Sequence, residues 1–410
     1  MSIDRTFSLH GHHPLTLLQQ GEQLLHLSKK MYMELEEVTL QSQIQSVIEE
    51  HYLLGRVSLI KEIAGGYINR SFRVNCIHPE GAESSYFLRK YQKRITEQEI
   101  LFEHALIKHS ISRGFPYSAP VIKTKEEQTF VKVIHPTGGI DYYALYIYLP
   151  GKDQYSWDNP SLNDEEMASA ANILALFHLS GQDFIAQGVK RVEPQIMDFL
   201  ASRAEYFTHV VYSLPDEGAY RQSKFHRCVL KKLTAILEVI QSSLLPPEIW
   251  TQMPQIPCHN DFHPGNLKFT NNRVVGVFDF DWSKIDLRLF DVALAIVYCC
   301  SSWEDPYNGQ LLLDKCKIFL HTYQQTLDLY HQDHPHLSPS LPSFTSLEKE
   351  HFPSLLAAAN LYLINWSIST FYNDNNLNDY EYYAYLQHSV NLMEWIESNR
   401  SLLKNIIRAV

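Results

Sequence analysis

Cys258-His259-Asn260-Asp261-Phe262-His263-Pro264-Gly265-Asn266, followed shortly by Phe278-Asp279-Phe280-Asp281, sets out a possible base and two further oxygen donors along one stretch of chain. Phosphoryl transfer uses these parts in this order: a carboxylate that receives the acceptor's hydroxyl proton, an amide four intervening residues later, and a second carboxylate beyond. Asp279 and the side-chain carbonyl of Asn266 are hard oxygens of the kind Mg²⁺ prefers, which leaves Asp261 to face the acceptor hydroxyl. His259, beside that base, is a candidate proton shuttle, although a histidine there more often braces the backbone. Asp281 could reach the metal through water, and Asp291 is expected to cap a helix starting near Phe290 or to order the loop. The simpler alternative treats Asp261 and Asn266 as turn residues, since Asp, Asn, Pro and Gly all favour loops. The third oxygen at Asp279 argues against it.

A nucleotide also needs a phosphate contact. Gly65-Gly66-Tyr67-Ile68-Asn69 joins two predicted strands, and small residues there let backbone N–H groups approach phosphate oxygens. By itself such a pair reads as a hairpin turn; it becomes a phosphate loop only because the catalytic segment calls for a nucleotide. Arg89 on the third strand is placed to meet the phosphates, with Glu103 on the following helix as its partner and Glu99, one turn away, as a rival. Strand alternation sends Lys90 to the other face. His178, on an apolar helix, reads as a satisfied core histidine, and His10, His12 and His13 as polar chain at the terminus.

The elements that must position these groups fall into two textures. Short β-branched and aromatic runs at 57–63, 71–77 and 86–91 predict an antiparallel meander, followed by a helix over 96–112 whose Thr96 and Glu99 form a capping-box signature. Further strands are expected at 129–134 and 142–148, with Leu149-Pro150-Gly151 as a hinge. Beyond 161 the periodicity is helical: 163–179, 193–213, 222–245, 290–300, 310–331, 352–371 and 379–400. A hairpin over 266–280, turning at Asn271-Asn272, is the only expected interruption, and 334–346 reads as a surface loop. The fold class is α+β. The expected division is a helical extension over 1–50, drawn from a helical pattern over 14–54, a nucleotide-binding lobe over 51–150 and a helical lobe over 151–410 with the catalytic loop and acceptor site.

With 410 residues, 45% of them hydrophobic, the chain can bury two cores. A formal net charge of -11 argues against nucleic acid or an anionic membrane surface as partner. Six cysteines without a Cys-x-x-Cys pair fit reduced thiols in cytosol, and neither a secretory signal nor a membrane-spanning run is evident. A homodimer is compatible with the sequence.

At these motifs the chain resembles the aminoglycoside phosphotransferase and choline kinase superfamily, over roughly 57–395. His259-Asn260-Asp261 through Asn266 is similar to its catalytic loop; Asn260 and the stretch Asp279-Phe280-Asp281-Trp282-Ser283 look like choline and ethanolamine kinases. Phe262-His263-Pro264-Gly265 looks bacterial, and Phe87-Leu88-Arg89-Lys90-Tyr91 with Glu103-His104-Ala105-Leu106 resembles bacterial type II homoserine kinases. The resemblance implies a two-lobed protein-kinase-like fold, ATP and Mg²⁺ as cofactors, Asp261 as base, Asn266 and Asp279 as metal ligands, and Arg89 where the family has a nucleotide-contacting Lys or Arg. The expected acceptor is a small amino alcohol or hydroxy amino acid such as homoserine, with aminoglycosides, choline or ethanolamine, and methylthioribose as alternatives. Trp366, Tyr372, Tyr382, Tyr383, Tyr385 and Trp395 could wall a cation site, though helical aromatic stripes usually pack a core. Two rivals are a catalytically inactive kinase-like binding module and an iron site begun by His259-x-Asp261, the latter poorly matched by the helices that follow.

Overall fold

The computed structural model describes residues 38–63, 69–136, 138–186, 193–213, 219–334, 341–373 and 378–410. The expectations for Gly65-Gly66, for the histidines at 10, 12 and 13, for the helical extension before residue 38 and for 335–340 of the 334–346 loop lie outside these residues. The chain forms two compact units, one comprising the chain up to Lys93 with Ile122–Leu145, the other Arg94–Val121 with Tyr146–Val410.

In the first unit, helix α1 (38–51) is followed by strands β1 (Arg56–Ile63), β2 (Arg70–Ile77) and β3 (Glu83–Lys90). After α2 (Glu97–Ser112), which belongs to the second unit, come β4 (Val121–Ile122), β5 (Val131–Ile134) and β6 (Ile140–Ile147). The sheet runs β1-β2-β3-β6-β4, with β5 also paired to β6. Its core follows from two periodicities meeting: Leu40, Ile44, Val47 and Ile48 line one face of α1, and they pack with Tyr52 on the alternate residues Phe72, Val74 and Cys76 of β2, Tyr86 and Leu88 of β3, and Tyr143 and Leu145 of β6. Because Leu88 belongs to this core, Arg89 must emerge on the opposite face of the sheet.

The second unit continues with β7 (Lys152–Asp153), α3 (Asp164–Gly181), α4 (Ile196–Tyr212), α5 (Ala219–Gln222), α6 (Lys224–Ser243), α7 (Pro247–Trp250), β8 (Gln255–Cys258), β9 (Leu267–Thr270), β10 (Arg273–Val277), β11 (Lys284–Leu287) and α8 (Arg288–Cys300). It closes with β12 (Ser301–Ser302), β13 (Gln310–Leu311), α9 (Leu313–Asp333), α10 (Ser346–Asn373), α11 (Asp379–Ser398) and α12 (Arg400–Arg408). The β9–β10 hairpin interrupts the helices as expected, its turn residues Asn271 and Asn272 both at positive φ, 51° and 61°.

It is not the only interruption. β8 pairs with β11, β7 with β9, and β12 with β13, and each of these strands is too short to give a period of its own. Gln310 and Leu311 are strand, so α9 starts at Leu313 rather than at 310. α10 starts before 352: Thr345 and Glu348 cap its first turn, and Pro353, which reads as a helix breaker, lies inside it.

Candidate functional site

The catalytic segment is the connection between β8 and β9, and paired strands hold both of its ends. Cys258 stands opposite Lys284 in the β8–β11 pair, while β9 and β10 return the chain so that the Phe278 N–H donates to the Asn266 carbonyl at 3.1 Å. That bond ties the backbone at Asn266 to the residue before Asp279. The two presumptive ligands of the sequence reading are therefore brought to neighbouring positions by a hairpin. Asp279 adopts left-handed backbone geometry, φ 68° and ψ 59°, and Asn260 sits at φ 58°. Non-glycine residues adopt this region at a cost of about 1 kcal/mol or more, and such strain concentrates at functional sites.

Asp291 orders the loop. Both of its carboxylate oxygens are used, Oδ2 accepting the His259 N–H at 2.7 Å and Oδ1 the Asn260 N–H at 2.8 Å. It lies within α8, whose N-cap is Leu287, so of the two roles expected for Asp291 the structure places it in the second. His178 supports it, with Nε2 2.9 Å from Asp291 Oδ2 and Nδ1 2.7 Å from the Tyr323 hydroxyl. His178, Cys258 and Asp291 lie close enough together to suggest a metal cluster, but both ring nitrogens of the histidine and both carboxylate oxygens are engaged, which makes the group a buried brace. His259 is likewise buried, and its Nε2 donates to the Phe278 carbonyl at 3.1 Å while its ring packs on Phe280. Burial pushes its pKa down, favouring the neutral ring. It links the catalytic loop to the strand leading into Asp279 and faces no open space.

Asp261 is partly exposed, with 22% of its side chain accessible. Three donors surround it. The Asn266 amide donates to Oδ2 at 3.1 Å and to the backbone carbonyl at 2.9 Å, the Tyr298 hydroxyl donates to Oδ1 at 3.0 Å, and His263 Nε2 stands 3.6 Å from Oδ2. The Gly265 N–H donates to His263 Nδ1 at 3.0 Å, which selects the tautomer whose Nε2–H points at the carboxylate. Burial would raise the Asp261 pKa; the imidazoles of His263 and His259 and the Tyr298 hydroxyl outweigh it and hold the group below the usual carboxylate range. The sequence reading gave no role to Tyr298, and named His263 only within the motif Phe262-His263-Pro264-Gly265. Tyr298 is the one α8 residue that is not buried, a position no hydrophobic period announces in a helix apolar on every side.

The arrangement suits Mg²⁺ in one specific respect. Donation by the Asn266 Nδ2 toward Asp261 turns its Oδ1 the other way, so this amide oxygen and the Asp279 carboxylate are the two hard oxygens that could hold the ion. Asp281 is buried in the turn after Asp279.

Arg89 is buried on β3, its guanidinium over the rings of Phe87 and Tyr91 at 5.7 and 5.9 Å. Lys90, on the other face, pairs with Asp141 at 2.5 Å. Asn69 accepts the Gln92 N–H at 3.0 Å through Oδ1 and so ties the end of β3 to the start of β2. Glu103 is buried on α2 and accepts the Tyr146 hydroxyl at 3.0 Å, whereas Glu99 closes the capping box with Thr96. Within the second unit α2 packs on the turn Phe280–Trp282.

Next to the loop lies a cluster of aromatic rings. The Trp157 backbone nitrogen is within 3.2 Å of where a Cβ on Gly265 would stand. Its indole meets Tyr385 at 4.6 Å, and Trp303 and Trp366 at 5.8 Å each, all edge to face. Trp366 stacks on Tyr382 at 5.7 Å, and the Tyr385 hydroxyl donates to Glu381 at 2.7 Å. Three of the six aromatics expected to wall a cation site are here. Tyr372 instead packs with Phe225 and Phe371 and bonds His226, in the core between α6 and α10, and Tyr383 and Trp395 are half-buried on α11. Trp157 and Trp303 lie on irregular segments and were not anticipated.

A model described as the phosphotransferase enzyme family matches residues 59–329. A protein of Methylocella silvestris named homoserine kinase is 24% identical over 345 residues, 82% of this chain and 90% of that one. Among solved structures, a microcompartment-associated aminopropanol kinase covers 88% of this chain and 98% of its own at 16% identity with a TM-score of 0.59. A spectinomycin phosphotransferase with ADP and spectinomycin covers 87% and 98% at 14% identity with a TM-score of 0.57. The fold is that of these small-molecule kinases: an antiparallel sheet in the N-terminal part and a larger helical C-terminal part. Among the described residues no helix is long and apolar enough to cross a membrane.

Proposed function

From the premise that the chain belongs to the phosphotransferase enzyme family, and is a small-molecule kinase, we propose that it moves the γ-phosphoryl group of Mg-ATP to the hydroxyl of a small alcohol carrying an amine, with homoserine as the first candidate. The observation that carries this reading is Asp261, partly exposed and held by three donors, on the same hairpin-closed loop as Asn266 and Asp279.

Asp261 receives the acceptor's proton and orients its oxygen, and the Tyr298 and Asn266 donors keep the carboxylate in one rotamer. Asn266 and Asp279 hold Mg²⁺, which when bound neutralises charge on the phosphate oxygens. His259 braces the loop. Gly65, Gly66 and Arg89 are the proposed nucleotide contacts. The Asn69 side chain accepts from the Gln92 N–H and the Glu103 carboxylate from the Tyr146 hydroxyl, so the structure gives both a local structural bond rather than a nucleotide contact.

The amine follows from the aromatic cluster. Trp157, Trp303 and Trp366 are half-buried beside the loop, and Glu381 adds a carboxylate. A ring of aromatic faces with one anion favours a cationic group over a neutral one by about 1–2 kcal/mol. Relatives named homoserine kinase support the hydroxy amino acid; the ethanolamine kinase of Plasmodium vivax, 13% identical with a TM-score of 0.53, shares the fold.

The test is an ADP-release assay with homoserine, 1-amino-2-propanol, ethanolamine, choline, methylthioribose and spectinomycin as acceptors, wild type against Asp261→Asn. Acceptor-dependent release that disappears in the variant is expected. Nucleotide binding with no turnover on any acceptor would instead make the chain a kinase-like binding module.

A further inference from the structure

We infer that His388 is a positioning residue that latches the hairpin Ser301–Leu311 onto α11 and so sets Trp303 as the specificity-determining wall of the acceptor site; this rests on the acceptor reading above. β12 and β13 close that hairpin, and Trp303 is the first residue after β12. The His388 ring lies on the Trp303 ring with centroids 3.7 Å apart and planes 3° from parallel. Its Nε2 is 3.2 Å from the Ser301 hydroxyl on the outgoing arm of the hairpin, and its Nδ1 is 2.7 Å from the Asn308 Oδ1 on the returning arm. One side chain of α11 thus touches both arms and the indole of the same hairpin.

The hydrogens can be placed. His388 Nδ1 faces the Asn308 Oδ1, which can only accept, so Nδ1–H donates to it, and the bare Nε2 of the neutral ring faces the Ser301 hydroxyl, which also lies 2.7 Å from the Val297 carbonyl. Serine, histidine and asparagine in this sequence of bonds resemble a nucleophilic relay, but Ser301 is buried, so the set acts as a fastening. A second contact completes it. Gly309, at φ +81°, approaches α11 so closely that a Cβ there would lie 2.4 Å from Asn391 Cβ and 2.8 Å from the His388 carbonyl. The Asn391 amide donates to the Asn308 carbonyl at 3.3 Å.

Without the latch Trp303 keeps only edge contacts among the described residues: Trp157 and Tyr385 meet it edge-on at 5.8 and 6.2 Å. Those edge contacts leave the indole free to swing once the stack is removed, and the wall facing the amine would open. Gly309 and His388 touch neither Asp261 nor the two presumptive metal ligands, so the effect should fall on acceptor binding alone.

The experiment uses the full chain and tetramethylammonium chloride as the cation probe, read by tryptophan fluorescence against NaCl of equal ionic strength. Wild type should show saturable quenching. Trp303→Leu, His388→Ala and Gly309→Ala should each weaken the probe at least tenfold, and raise the KM of the acceptor turned over best in the ADP-release assay by a similar factor, with the KM for Mg-ATP within twofold of wild type. His388→Ala opens a buried cavity, so Gly309→Ala, which adds one methyl at the buried contact between the hairpin and α11, and Trp303→Leu, on a half-buried ring, keep the test alive if the first variant does not fold. Quenching that is no stronger than in NaCl, or probe binding and acceptor KM unchanged in Gly309→Ala, overturns the inference. Absence of ADP release by wild type with saturable quenching intact overturns the kinase reading instead.

Discussion

Replacing Asp291 by asparagine changes one atom and should loosen the catalytic loop. The carboxylate now receives two backbone N–H groups, from His259 at 2.7 Å and Asn260 at 2.8 Å, with His178 at 2.9 Å. An asparagine side chain offers one oxygen and one NH₂, so one of the two N–H groups would face a donor in a buried site. Losing a hydrogen bond to a charged acceptor costs about 1.5–3 kcal/mol, and the remaining bond weakens from charged to neutral. Together these give roughly 3 kcal/mol, acting on a loop that already contains Asn260 at φ 58°. Local opening governs amide exchange, so hydrogen–deuterium exchange of a peptide covering 256–266 should speed up on the order of a hundredfold. The same variant should lower kcat by about tenfold or more by misplacing Asp261, with Mg-ATP binding little changed. Protection within threefold of wild type would refute the view that this carboxylate holds the loop.

Asp261→Asn should reduce kcat by about 10²–10⁴ while preserving Mg-ATP affinity, measured by single-turnover phosphoryl transfer and by nucleotide binding. Asp279→Ala should remove the Mg²⁺ dependence of ATP binding, so that calorimetric titrations with and without EDTA coincide. Ile44→Ala, in the fully buried face of α1, should cost about 2–4 kcal/mol in the urea unfolding of the first unit. His388 has its pKa lowered to about 3 by burial. Its folded pKa lies below its unfolded value, so the stability tied to its neutral form is complete above about pH 6.5 and is lost as pH falls toward 3. Thermal melts from pH 7 to pH 4 should decline, and His388→Gln should flatten that decline in part, the share left to His178, His226 and His259, which are shifted the same way.

Asp261, Asn266 and Asp279 could be read ahead of the structure because a single hairpin brings them together: when functional groups sit on one short stretch, their spacing along the chain carries most of their geometry. The meander and the long helices were readable for a related reason, since each buries a regular face that repeats in the residues, as α1 and β2 do. What escaped depended on contacts between distant segments. Tyr298 reaches Asp261 from a helix apolar all round, so no period distinguishes it. Trp157 and Trp303 stand in irregular chain, and the strands that grip the catalytic loop, β8 and β11, are four residues each, below the length at which alternation can be told from chance. Asp291 was noticed, but its task, receiving two backbone amides, is invisible until the loop is folded against it. The aromatic stripe shows the same limit, since only position in space separates Tyr385 in the cluster from Tyr372 in the core.

The family model begins at residue 59, yet α1 ends at 51 and supplies one entire wall of the sheet's interior. Trimming the chain to the shared region would strand Phe72, Val74 and Leu88 against water and leave the strand that carries Arg89 with an uncovered back. The segment ahead of the common fold is therefore better regarded as half of a foundation than as an appendage, and any shortened version used for crystallography or assays should retain it from residue 38 onward.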